Sequence, residues 1–268
     1  MDDFELQRRL KEFDFYHGDV DGDIGPESMQ AIAAFLNNGR VMVPQAWSQK
    51  RRVLAAKQLV CRRDGIEVGS VDGLAGPQTQ YAFQLYAERL AAGPSPLIPG
   101  RETDPPGPEP VTAPPIWPRQ ADVEAFYGPK GAGQIRLTLP FAMRIAWEPS
   151  KLVKSIMVHE KVHDSAKRCF ERIAAAYDAE ARRQTGIELF GGCFNVRRMR
   201  GSNRWSMHSW GIAIDFDPER NSLHSNRSNA RLSQDDCRAF WKIWEDEGWV
   251  SLGRTRDYDW MHVQAARL

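Results

Sequence analysis

The chain has 268 residues, 42% hydrophobic and 26% charged, enough for one large domain or two to three small ones. Its net charge of +1 excludes a bulk electrostatic pull toward nucleic acid or anionic lipid. No run of about 18 apolar residues occurs, so stable membrane insertion is not expected. The opening MDDFELQRRL is acidic and has no apolar core, so synthesis in the cytoplasm without a signal peptide is expected. Cys61, Cys169, Cys193 and Cys237 are scattered with no CxxC pair, which predicts reduced thiols.

The first feature along the chain is an internal repeat. The stretch GDVDGDIGPESMQAIAAF at 18–35 recurs as GSVDGLAGPQTQYAFQLY at 69–86, at a constant offset of 51. Asp21-Gly22 and Asp72-Gly73 predict tight turns, because glycine tolerates positive φ. Gly25-Pro26 and Gly76-Pro77 then open helices, proline being suited to the first turn. Met29, Ile32, Ala33 and Leu36 follow at helical spacing and predict one buried stripe, covered by an earlier helix near 4–13. The counterpart of that earlier helix, near 52–61, places Gln58 opposite Gln7. In the second copy Gln80 and Gln84 stand where the first has Met29 and Ala33. The unit resembles the small three-helix peptidoglycan-binding domain attached to wall hydrolases. The resemblance implies bundles at 1–40 and, in more diverged form, at 41–93.

Residues 94–118 hold ten of the seventeen prolines. Such a segment builds no core and favours extended polyproline II, spanning up to about 75 Å. A Pro-rich inter-domain linker over 94–118 is expected, ahead of a domain at 119–268.

Within that domain, VHEKVHDS at 158–165 contains His-Glu-x-x-His, the pattern of a zinc-binding helix. The extended motif wants a glycine three residues after the second histidine and a third histidine six after; Ala166 and Cys169 stand there. Glu188 is a conceivable substitute ligand but sits in a predicted strand-and-loop stretch. Ile156, His159, His163, Ala166, Phe170, Ile173 and Tyr177 fall on one helical stripe, so both histidines are expected to face the core as hydrogen-bonded packing residues.

After Gly211 the pattern alternates, with Ile212, Ile214 and Phe216 on one face and Ala213, Asp215 and Asp217 on the other, which predicts a strand. His208 lies in the loop leading into it, and a turn at Trp210-Gly211 brings His208 back beside Asp215. Near the C-terminus, Asp259 precedes His262 by three, and Trp260, His262 and Gln264 share one strand face.

With SMHSWGIAID at 206–215 and DWMH at 259–262, the domain resembles the zinc peptidase family of D-alanyl-D-alanine carboxypeptidases and L-alanyl-D-glutamate endopeptidases, phage endolysins included. The family pattern is Ser-x-His, six residues, Asp, and later an acidic residue three before a second His. The Arg-x-x-Arg-Gly-Ser run at 197–202 and Gly248-Trp249 also look like family elements. The resemblance implies His208, Asp215 and His262 as zinc ligands and Asp259 as catalytic acid/base. It further implies Arg197 holding the scissile carbonyl or its oxyanion, with Arg198, Arg200 and Arg204 close by, and Ser206 lining the substrate site. Three nitrogen and oxygen ligands leave a fourth position open, as catalytic zinc requires. The implied fold class is multidomain: all-α N-terminal peptidoglycan-binding bundles followed by an α+β zinc peptidase domain of Hedgehog/DD-peptidase type, with a small antiparallel sheet.

These readings converge on a monomeric, endolysin-like peptidoglycan hydrolase that cuts an amide of the stem peptide, with L-Ala–D-Glu as the expected bond. D-Ala–D-Ala carboxypeptidase activity, or a non-catalytic wall-binding protein, are the alternatives. Action at the bacterial wall after holin- or phage-mediated release is the expected setting.

Overall fold

The computed structural model describes residues 1–92, 117–200 and 202–268. The chain divides into two compact units, Met1–Leu97 and Ile98–Leu268. Residues 94–116 of the expected linker lie outside the described residues, as does Gly201 of the Arg-x-x-Arg-Gly-Ser run. Among the described residues no helix is long and apolar enough to cross a membrane, and all four cysteines are free and buried.

The first unit is built from α1 (Asp3–Glu12), α2 (Pro26–Asn38), α3 (Gln49–Arg63) and α4 (Pro77–Ala92). The two copies of the repeat share one apolar cluster that includes Leu6, Leu10, Ile32, Phe35, Leu59 and Tyr86. Each copy is clamped by one buried glutamine. Gln7 Oε1 accepts from the Asp21 and Gly22 N–H groups, and its Nε2 donates to Asp21 Oδ1, the Asp23 carbonyl and Ser28 Oγ. Gln58 repeats the pattern with Asp72, Gly73, Leu74 and Thr79. The turn glycines take the positive φ their sequence demands, +83° at Gly22 and +67° at Gly73. Truncating either glutamine leaves two turn N–H groups without their side-chain acceptor. Gln7→Ala and Gln58→Ala are each expected to cost about 1–3 kcal/mol, read by denaturant unfolding. A loss within the error of measurement would contradict the clamp.

The buried stripe of α2 is rotated from expectation. Ser28, Ala31, Ile32, Phe35 and Leu36 are buried, whereas Ala33 is exposed. Gln80 and Gln84 are exposed in the second copy, so the polar replacements there fall on the outer face. Its inward positions are Thr79, Ala82 and Tyr86.

The second unit begins with Trp117 and Pro118, which belong to its folded body. The Trp117 indole donates to the Glu247 carbonyl, and the Pro118 carbonyl accepts from Arg267 N–H. A short helix α5 (Val123–Tyr127) precedes the long hairpin of β1 (Gln134–Ile145) and β2 (Glu148–His159). Helices α6 (Glu160–Ala176) and α7 (Ala179–Thr185) lead to β3 (Leu189–Gly192) and β4 (Ala213–Phe216). Helix α8 (Arg238–Asp246), β5 (Val250–Ser251), α9 (Leu252–Arg256) and β6 (His262–Gln264) complete the chain. The six strands run in the order β2-β1-β3-β4-β6-β5. The unit is α+β, but its sheet is mixed rather than antiparallel, because β3 pairs parallel with β1 at Arg144↔Leu189 and Ile145↔Phe190.

Helices α6 and α8 build the core against this sheet. Phe170 of α6 meets Phe216 of β4 and Trp244 of α8 at ring distances of 6.3 and 5.5 Å. A polar brace closes the helix pair: Arg168 grips both Glu247 oxygens at 2.9 and 2.7 Å, and Ser165 Oγ donates to the same carboxylate. The adjacent antiparallel strands β4 and β6 align Asp215 directly with His262. That one register pairing places two side chains from distant sequence at one point.

Candidate metal centre

His208 sits in a 3-10 turn, Met207–Trp210. Ser206 caps this turn, its hydroxyl accepting from the His208 N–H. Gly211, at φ +67°, ends the turn in the left-handed region and redirects the chain into β4. The reversal returns the His208 ring to Asp215, the third residue of β4, as expected from Trp210-Gly211.

The three side chains converge. His208 Nε2 lies 3.2 Å from Asp215 Oδ2, and His262 Nδ1 lies 2.8 Å from Asp215 Oδ1. One ligand atom from each lies within 4.8 Å of the others, and all three residues are buried. Tetrahedral zinc with bonds of about 2.0–2.1 Å places neighbouring ligand atoms about 3.3 Å apart, so the group fits a zinc ion.

The hydrogen bonds outside this trio set its chemistry. His208 Nδ1 donates to the Cys193 carbonyl at 2.6 Å, which leaves Nε2 facing Asp215. His262 Nε2 meets Gln264 Oε1 at 3.1 Å, which leaves Nδ1 facing the same carboxylate. Two imidazole nitrogens and a carboxylate thus face one place, and once both nitrogens are unprotonated a cation is what satisfies three acceptors at once.

The titration shifts follow the same geometry. Burial resists charge on Asp215, but the two imidazoles beside it overcome that and hold its carboxyl well below the usual range. Burial pushes His208 down from the ordinary histidine value, and the Arg197 charge adds to that effect. Burial acts against charge on His262 too, but its hydrogen bond to Asp215 and the charges of Asp215 and Asp259 outweigh it, and the net shift is upward.

An open cleft leads to the trio, lined by Arg197, Arg200, Ser206, Asp259, Tyr258 and Gln120 among others. Asp259 is buried and adopts φ +54° at the entry to β6, a conformation that aspartate tolerates better than most residues. Its loop is held from outside. The Asp259 N–H donates to the Leu223 carbonyl and the Met261 N–H to the Asn221 carbonyl. Asn221 in turn accepts from Leu232 N–H and donates to the Asp217 carbonyl. The neighbouring arginines separate by contact. Arg198 lies over the Trp205 ring and Arg204 bonds Gln120 Oε1, whereas Arg197 and Arg200 line the cleft. Backbone N–H and C=O of Arg197 are both tied to Ser209 Oγ, which anchors it beside the 3-10 turn.

The His-Glu-x-x-His segment is not on one helix. Its first histidine ends β2 and caps α6, so the expected continuous stripe is broken at the strand–helix junction. His159 is buried, with Nε2 donating to the Tyr127 carbonyl and Nδ1 accepting from Lys161 N–H. His163 is half-buried and contacts Asp164, because the inward face of α6 is Val162, Ser165, Ala166, Cys169, Phe170 and Ile173. Glu188 pairs with Arg144. His159→Ala is expected to cost about 1–3 kcal/mol through the orphaned cap and carbonyl. Bound metal should be unchanged; thermal unfolding and metal content of the purified variant check both parts.

Two participants escaped sequence reasoning. Gln264 was legible only as sharing a face with His262, and the Cys193 carbonyl carried no sequence signal at all.

Residues 200–265 match the protein family described as D-alanyl-D-alanine carboxypeptidase. The matched segment contains Ser206, His208, Asp215, Asp259 and His262, while Arg197 lies just outside it. No curated protein and no solved structure gave a significant match to the chain.

Proposed function

We propose that this chain is a zinc peptidase that hydrolyses an amide bond in the stem peptide of peptidoglycan. The observation carrying that reading is the convergence of His208, Asp215 and His262, with both outer imidazole nitrogens already committed to carbonyls. The family match over 200–265 supports the same substrate class.

In this reading His208 Nε2, Asp215 and His262 Nδ1 hold the ion. When bound there, zinc supplies a Lewis acid and a water acidic enough to attack near neutral pH. The remaining work falls to the chain's own residues. Asp259 takes the proton that the attacking water loses and passes it to the departing amine. Arg197 steadies the negative charge that gathers on the scissile carbonyl oxygen. Ser206 holds the His208 turn in place and borders the substrate.

L-Ala–D-Glu is the bond proposed, with the paired helical repeats serving as wall-binding modules. Joined by the proline-rich segment, such modules raise the effective concentration of substrate at the peptidase unit. D-Ala–D-Ala carboxypeptidase activity is the second reading, favoured by the description of the matched family. Clearing of purified cell walls, abolished by chelator and restored by zinc, is the expected result. Binding without clearing would leave only a wall-binding protein. Mass spectrometry of the released muropeptides then separates the two bonds: new D-Glu N-termini identify the endopeptidase, loss of a terminal D-Ala the carboxypeptidase.

The titration shifts predict the pH dependence of metal uptake. His262 holds a proton to higher pH than the ordinary 6.5, so an incoming cation must displace it. His208, shifted down, is already neutral there and releases none. Affinity should therefore rise with pH by up to about tenfold per unit until His262 is deprotonated. Calorimetry in buffers of differing ionisation enthalpy should detect proton release on metal uptake wherever His262 is still protonated, falling away as the pH rises past its transition. Uptake with no proton release would contradict the assignment.

A further inference from the structure

Gln264 borders the same cleft as the three converging side chains, and both ends of its side chain are used. It is 1% exposed and stands two residues after His262 on the same face of β6. Its Nε2 donates to the Ala266 carbonyl at 2.7 Å. A carbonyl oxygen only accepts, so the amide nitrogen must face Ala266 and Oε1 must face His262. Oε1 lies 3.1 Å from His262 Nε2. That nitrogen must therefore carry the hydrogen, because an unprotonated Nε2 would set two acceptors against each other.

We propose that Gln264 is the positioning residue that locks His262 in its Nε2–H form and so aims the Nδ1 lone pair at the metal position. The proposal rests on the zinc-peptidase reading. The Ala266 carbonyl acts as the fixed end of the relay: it sets the amide, the amide sets the ring, and the ring sets the donor atom. His208 is served differently, by the main-chain carbonyl of Cys193, which no side-chain substitution removes. The centre therefore has one main-chain and one side-chain orienting contact, and only the second can be tested by mutation. Outer partners of this kind are worth about 10–100-fold in metal affinity.

Two variants separate orientation from packing. Gln264→Met keeps the length of the side chain and removes both hydrogen bonds. Gln264→Glu keeps an acceptor toward His262 but sets a carboxylate against the Ala266 carbonyl. Zinc affinity is measured by chelator competition, fold stability by thermal unfolding, and the His262 ring by nitrogen-15 NMR of zinc-loaded protein, where a cation takes the place of the hydrogen that Asp215 otherwise draws to Nδ1. The expected result for Gln264→Met is a loss of zinc affinity of about 10–100-fold and a mixed tautomer pattern at His262. For Gln264→Glu the expected result is lower stability with affinity kept within about threefold and the Nε2–H pattern retained. Wild-type affinity in Gln264→Met, or affinity that merely tracks stability across both variants, overturns the inference. A wild-type chain that takes up no zinc overturns the parent reading, and this one with it.

Discussion

Asp259→Ala is expected to lower kcat by about 10²–10⁴-fold while zinc stays bound at the wild-type level. Asp259 borders the same cleft as the three converging side chains but stands outside the ligand group. Its charge reaches His262, where it favours the protonated ring. A carboxylate beside the metal position but not on it is placed to move protons. Asp259→Asn preserves the shape and removes the base, so it should show the same loss. The backbone at this position is already in the left-handed region, where aspartate and asparagine are the tolerated side chains. Asp259→Asn therefore isolates the chemistry from the fold better than alanine does. Full turnover in either variant would remove Asp259 from its assigned role, and loss of zinc would make it a ligand instead.

The second large effect is expected at the centre itself. His208→Ala and His262→Ala should each weaken zinc binding by more than the roughly 100-fold ceiling seen for outer contacts, and activity should fall to the level of the chelated enzyme. Each substitution removes one of the three converging side chains and leaves Asp215 with a single imidazole. Asp215 is buried, and its ionised form depends on those two rings. Metal-free variants should accordingly show the Asp215 carboxyl titrating closer to the ordinary range, which carbon-13 NMR can follow. Retention of one zinc per chain in both variants would place the ion elsewhere.

The second unit was legible where local rules govern. The alternation from Ile212 to Phe216 needed only the two-residue period of a strand, and β4 occupies Ala213–Phe216. The turn at Gly211 followed from glycine's tolerance of positive φ. The meeting of Asp215 with His262 rested on motif resemblance, because a register between strands so far apart has no local signature. The mixed character of the sheet was hidden for the same reason: two residue pairs between β1 and β3 decide it. The stripe from Ile156 to Tyr177 misled because helical phase was carried across a boundary. Its first members belong to β2, and the helix starts only at Glu160. In α2, hydrophobicity alone put Ala33 inward, although the true inward face includes Ser28, which bonds the buried Gln7. A polar residue can occupy a core face when a buried amide is there to meet it. Gln264 follows that logic as well: its importance lies in the position of the Ala266 carbonyl, which only the folded chain reveals.

The most direct test is anomalous diffraction at the zinc edge from crystals of the full chain. One peak is expected, about 2.0–2.2 Å from His208 Nε2, His262 Nδ1 and an Asp215 oxygen, with Asp259 facing it and not bound. A peak seated at His159 and His163, or no ordered ion near Asp215 in zinc-loaded crystals, would contradict the metal centre and the peptidase built on it.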